Sequence, residues 1–144
     1  MVRHFDHVTI VVRDLAEACR FFGLLGFAED KNVVISGETF ARYMGVAELE
    51  ADHVTLVLRD AEPRTEVQLL HYRHPKPVPD PNIQDLHKLG LNHICFAVDD
   101  LEALVRTMRE NGFETRSDVL DFHARKLVFL RGPEGVTVEL SQWH

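Results

Sequence analysis

The chain has 144 residues, 45% of them hydrophobic and 27% charged, which suits one ordinary domain with a real core and is too short for two independent ones. Its formal net charge of −7 argues against a nucleic-acid partner, which normally meets a basic face. No run approaches the roughly 20 apolar residues that span a bilayer, the N-terminus lacks a signal-peptide pattern, and two cysteines are too few for a disulfide framework, so a cytoplasmic protein with no membrane partner is expected.

In chain order, an apolar strand is predicted over Phe5 to Val12, followed by Asp14 as the cap of a helix over Leu15 to Leu24 that ends at Gly26. Three further strands complete the first half. Between them Phe40, Tyr43 and Met44 recur at helical spacing, which predicts a short helix with one apolar edge. The segment from Arg73 to Lys88 holds Pro75, Pro77, Pro79 and Pro81 and reads as a linker with a short helix near Ile83 to Lys88. A second strand over Leu91 to Val98 leads through Asp99 or Asp100 into a helix over Leu101 to Asn111 that ends at Gly112. Three more strands follow, the last two joined through the turn residues Gly132-Pro133-Glu134-Gly135.

The two halves repeat each other. FDHVTIVVRDLAEACRFFGLLGF from Phe5 lies without a gap over LNHICFAVDDLEALVRTMRENGF from Leu91, so that His7 matches His93 at a separation of 86 residues. LVLRDAEPRTEVQLL from Leu56 lies over LVFLRGPEGVTVELS from Leu127, so that Gln68 matches Glu139 at a separation of 71 residues. The difference is an insertion in the first half, placed between Ile35 and Asp52. The expected fold is α+β: two tandem βαβββ modules in one 144-residue domain, forming an open, cupped mixed sheet around a metal cleft. The first module covers about residues 4–73, the linker 74–89 and the second module 90–144.

Side chains alternate across a strand, so parity sorts each strand into two faces. Val8, Ile10, Val12, Val67, Leu69, Val136, Val138 and Leu140 give a large apolar face, the bed for a helix. The opposite face is small or polar and carries His7, Gln68, His93 and Glu139. Taken singly, each is an ordinary polar residue on the wet face of a sheet. Taken together, two pairs of equivalent positions supply two imidazoles, one amide and one carboxylate, a ligand set for a first-row divalent ion.

The phrases DHVTIVV, GLNHICFAVDDLEAL and GVTVELSQ, in that order, resemble the vicinal oxygen chelate superfamily, which includes glyoxalase I, methylmalonyl-CoA epimerase, fosfomycin-resistance proteins and extradiol dioxygenases. The likeness spans nearly the whole chain, and the His/Gln/His/Glu set is that of the epimerase; the insertion and linker look more like those of cyclitol-precursor epimerases. The resemblance implies one divalent ion (Co, Ni, Mn, Fe, Zn or Mg) on His7, Gln68, His93 and Glu139, with Glu139 acting also as catalytic base. The implied reaction is isomerisation or epimerisation of a small α-oxygenated carbonyl compound through a metal-stabilised enolate, by a homodimer.

Departures from the pattern are specific. The epimerases place a second catalytic Glu on the third strand, where this chain has Thr55. Bacterial glyoxalase I carries an Arg and an Asn where this chain has Val11 and Tyr72. His53, His71 and His123 are candidates for the missing proton carrier, His71 the poorest because it falls on the apolar parity. Phe40 and Tyr43 are expected to contact substrate as a lid, with Thr55, Tyr72, Cys95, His53 and His123 also facing it. The alternatives are a glyoxalase I-like lyase, an extradiol-type dioxygenase (in which Gln68 would crowd the oxygen position), and a non-catalytic small-molecule binding protein.

Overall fold

The computed structural model describes residues 1–144. The chain divides into two compact units, Met1–Pro79 and Asp80–His144, and the division falls inside the proline-rich segment.

The first unit runs β1 (His7–Val11), α1 (Leu15–Leu24), β2 (Phe27–Ser36), α2 (Glu38–Met44), β3 (Glu50–Leu58) and β4 (Glu66–His74). Its sheet has the order β1-β4-β3-β2, with β1 parallel to β4 and the other pairs antiparallel. Parallel neighbours need a crossover, and α1 begins it. The helix starts where the side chain of Asp14 accepts from the backbone N–H of Glu17 at 2.9 Å. It leaves through Gly26 at φ +100°, a conformation that a side chain would strain. Ala18, Phe21 and Phe22 are fully buried against the sheet, where Val54, Val67 and Leu69 are as completely covered. Phe22 meets both Phe21 and Phe27 edge-on, with centroids 5.1 and 5.8 Å apart. The apolar parity is therefore the helix-bearing face.

The insertion lengthens β2 and β3 and carries α2 between them. It has a small core of its own: Ile35, Leu49, Ala51 and Leu70, against which Ala41, Val46 and Tyr72 pack. On the opposite parity Asp52 binds Arg73 at 2.7 Å and His71 at 3.1 Å. The Arg73 guanidinium, then His71, hold the Asp52 carboxyl below its usual range against the opposing effect of desolvation.

The second unit repeats this topology with β5 (Ile94–Ala97), α3 (Leu101–Glu110), β6 (Leu120–Phe122), β7 (Arg125–Arg131) and β8 (Thr137–Trp143). Its sheet order is β5-β8-β7-β6, and β5 is parallel to β8. Asp100, rather than Asp99, caps α3 by accepting from the N–H of Ala103 at 2.9 Å. Leu101, Val105 and Met108 of α3 are buried, as are Val128, Leu130, Val138 and Leu140 of the sheet. Both units are thus βαβββ modules of one α+β fold.

Two expectations are corrected. Ile83 to Lys88 is not a helix but successive turns, with backbone bonds from Ile83 to Asp80, Asp85 to Asn82 and Lys88 to Asp85. Tertiary bonds hold it instead: the Gln84 carbonyl accepts from Arg116 at 3.0 Å, and its side-chain oxygen accepts from Arg131 at 2.7 Å. Gly135 leaves room for the segment, since a Cβ there would lie 2.9 Å from Ile83 Cγ2. The second strand starts at Ile94 rather than Leu91, because the Asn92 side chain turns to donate to the Leu86 carbonyl.

Truncating Phe22 to Ala should lower stability by about 3–5 kcal/mol through transfer and cavity terms. Asp100→Ala should lose only about 1 kcal/mol of capping. Urea unfolding of the full chain followed by circular dichroism checks the order; equal losses would contradict the packing described.

Candidate functional site

The uncovered face of the first unit begins at the start of β1 and crosses β4 and β3. Parallel register sets Thr9 beside Gln68 and His7 beside Glu66; antiparallel register sets Thr55 beside Gln68. His7, Thr55, His53 and Gln68 line a cavity of about 660 Å³. Phe40, Tyr43 and Met44 of α2 line it as well, as expected for the apolar edge of that helix.

Hydrogen bonding fixes the orientation of the Gln68 amide. Its Nε2 donates to Glu66 Oε1 at 3.0 Å, and a carboxylate can only accept. Its Oε1 therefore faces His53 Nε2, 3.0 Å away, and His53 is the donor. An amide oxygen has two lone pairs, so one remains for a cation. Behind Gln68, Glu66 binds Arg64 at 2.7 Å and Arg64 binds Asp30 at 2.8 Å. Arg64, then the Gln68 amide, hold the Glu66 carboxyl below its usual range. His7 turns its Nδ1 to the carboxylate of Asp6, which leaves Nε2 for a ligand. The His7 ring, in turn, keeps the Asp6 carboxyl low.

In the second unit His93 Nε2 lies 2.8 Å from Glu139 Oε2, and His93 Nδ1 lies 2.7 Å from Asn92 Oδ1. The ring is held edge-on to Phe129 with centroids 5.1 Å apart. A neutral His93 that donates from Nδ1 presents a lone pair at Nε2, so two electron donors converge at His93 and Glu139. That arrangement suits a proton or a metal cation. Cys95 stands in register with Glu139, and desolvation followed by the Glu139 charge pushes its thiol up to about 11.

Each unit therefore offers a histidine nitrogen and an oxygen donor on its polar face, and nowhere in the chain do three or more His, Cys, Asp or Glu side chains gather into a group that could hold a metal ion. The remaining candidates are placed as follows. Tyr72 packs against the small core under α2. His123 sits in the turn after β6 at φ +54°, its ring against Phe122 at 4.3 Å. Sequence reasoning missed Asp6, Asn92, Glu66 and Arg64. The Asp-His and Asn-His dipeptides, 86 residues apart, were the available signal for the first two.

The model of the glyoxalase/bleomycin resistance protein/dioxygenase superfamily matches residues 6–129. An ethylmalonyl-CoA/methylmalonyl-CoA epimerase of Cereibacter sphaeroides is 28% identical over 150 residues, covering 99% of each chain. A glyoxalase family protein from Bacillus cereus superposes with a TM-score of 0.89 at 24% identity, over 99% of this chain and 95% of that one. A fosfomycin resistance protein from Listeria monocytogenes superposes with a TM-score of 0.65 at 11% identity, over 100% and 96% of the two chains. The two structural likenesses show a shared fold.

The amide at position 68 carries a prediction about charge. Gln68→Glu sets a carboxylate against Glu66, so in the presence of a chelator the variant should be less stable than the parent at pH 7. The deficit should shrink near pH 4, where one of the two groups takes up a proton and the repulsion falls. Urea midpoints at the two pH values check it; a deficit independent of pH would contradict the geometry around Gln68.

Proposed function

Because the chain belongs to the glyoxalase/bleomycin resistance protein/dioxygenase superfamily, we propose that it is a divalent-metal-dependent isomerase or epimerase of a small α-oxygenated carbonyl compound, with His7, Gln68, His93 and Glu139 as the ligands of one ion. The observation that carries this reading is the pairing of donors at equivalent positions. His7 with Gln68, and His93 with Glu139, occupy the polar face of their own unit, and in both units the histidine Nδ1 is engaged by the preceding residue.

The donor set fits a borderline first-row cation: two imidazole nitrogens, one amide oxygen and one carboxylate. When bound, such an ion supplies Lewis acidity that stabilises the enolate of a chelated substrate. Gln68 contributes no charge, so Glu139 is the one anionic ligand.

Glu139 has the second role of general base. Its carboxylate takes the proton from the carbon next to the substrate carbonyl, the C–H electron pair enters the carbonyl system, and return of a proton to the opposite face inverts the centre. Thr55 cannot carry that returning proton at neutral pH. His53 stands beside Gln68 on the cavity wall and is the proposed carrier. Phe40 and Tyr43 of α2 serve as a lid that excludes water. An acyl-CoA thioester of the kind for which the Cereibacter sphaeroides relative is named is one compound of the required class.

Purified protein should hold about one divalent ion per chain by elemental analysis, and His7→Ala and Glu139→Ala should each lose it. Loaded protein should exchange the α-hydrogen of at least one compound in a panel of hydroxy-ketones and acyl thioesters with solvent deuterium, and Glu139→Gln should abolish exchange. Oxygen uptake with a catechol and no exchange with any panel member would replace this reading with a dioxygenase.

A further inference from the structure

We propose that Asp6 and Asn92 are positioning residues, which fix the rings of His7 and His93 with hydrogen on Nδ1 and so present Nε2 as the metal-binding nitrogen. The proposal rests on the ligand reading above and adds two residues to it. Neighbouring side chains in a regular strand point to opposite faces, so a side-chain bond between positions i and i+1 forms only where a strand has not yet settled. Both pairs occupy such an entry: His7 is the first residue of β1, and His93 immediately precedes β5.

Each partner is itself anchored. The Asp6 carbonyl accepts from the backbone N–H of Glu66 at 3.3 Å, which ties it to β4. Asn92 donates its Nδ2 to the Leu86 carbonyl, which directs its Oδ1 to His93 Nδ1 at 2.7 Å. The turns over residues 80–92 thus act through Asn92 as a strap behind His93. A carboxylate oxygen and an amide oxygen only accept, so the ring nitrogen facing Asp6 or Asn92 carries a hydrogen; His93 Nε2 faces the Glu139 carboxylate in the same way and gives up its own hydrogen where a cation takes that place. A histidine ligand whose other nitrogen donates to an oxygen has a fixed orientation and a more basic donor atom.

The two positions are not chemically equal. Asp6 is charged, whereas Asn92 is neutral, and the ring that Asn92 holds already faces the Glu139 carboxylate at 2.8 Å. A neutral residue at 92 orients His93 without adding a second anion beside Glu139.

The test uses the full-length chain with 15N-labelled histidine, stripped of metal, and then the same protein titrated with zinc against a competing chelator. Metal-free protein should show the 15N shifts of the Nδ1–H form for both rings. Asp6→Ala should remove the His7 signal and Asn92→Ala the His93 signal, while Asp6→Asn and Asn92→Asp retain them. Each alanine variant should weaken zinc binding roughly 10- to 100-fold. Persistence of both Nδ1–H signals in the alanine variants, or zinc affinity unchanged in both, would overturn the proposal. Nδ1–H signals that depend on Asp6 and Asn92 in a protein that binds no zinc would uphold the positioning and remove the metal-site reading instead.

Discussion

Parallel pairing of the first and last strands governs each unit. Antiparallel neighbours can be joined by a tight turn, but β1 beside β4 and β5 beside β8 require a helix to pass over one face of the sheet. The covered face must then be apolar, and it is: Val67 and Leu69 under α1, Val138 and Leu140 under α3, all fully buried. The other face is left for polar groups. Because alternation has a period of two, the same register that buries Leu69 and Leu140 turns Gln68 and Glu139 to the open side. A slip of one residue would bury the donors and expose the core, so packing enforces the chemistry of the polar face.

The two polar faces are built differently. In the first unit a chain of bonds runs from Asp30 through Arg64 and Glu66 to Gln68 and His53. Arg64 and Asp30 are about half exposed, and ion pairs of that kind add little to stability. What the chain does is orient: a carboxylate behind the Gln68 nitrogen forces its oxygen forward. In the second unit the carboxylate itself is the electron donor, its side chain largely buried and 2.8 Å from His93.

Much of this was legible in the residues. The helix caps at Asp14 and within the Asp99-Asp100 pair, the exits at Gly26 and Gly112, the sorting of faces by parity and the helix carrying Phe40, Tyr43 and Met44 all follow from local rules, and the structure contains each of them. Local rules failed where distant groups take over. Residues 83–88 follow no helical path because Arg116 and Arg131 bind Gln84 across the fold. Tyr72 has the parity of the cavity face, yet it packs beneath α2, since the insertion builds a second small core there. The contact between His53 and Gln68 runs diagonally between strands and depends on a register that parity alone does not supply. Asp6 and Asn92 act on their own neighbours, but only because both precede the point at which a strand becomes regular.

The most direct measurement of the central claim is X-ray absorption on the zinc-loaded full chain. One ion held by His7, Gln68, His93 and Glu139 should show scattering from two imidazoles with nitrogens at about 2.0–2.1 Å and no sulfur ligand. Neither His7→Ala nor His93→Ala should show that two-imidazole shell. A single imidazole in the parent protein, or a zinc shell indifferent to either substitution, would contradict the account.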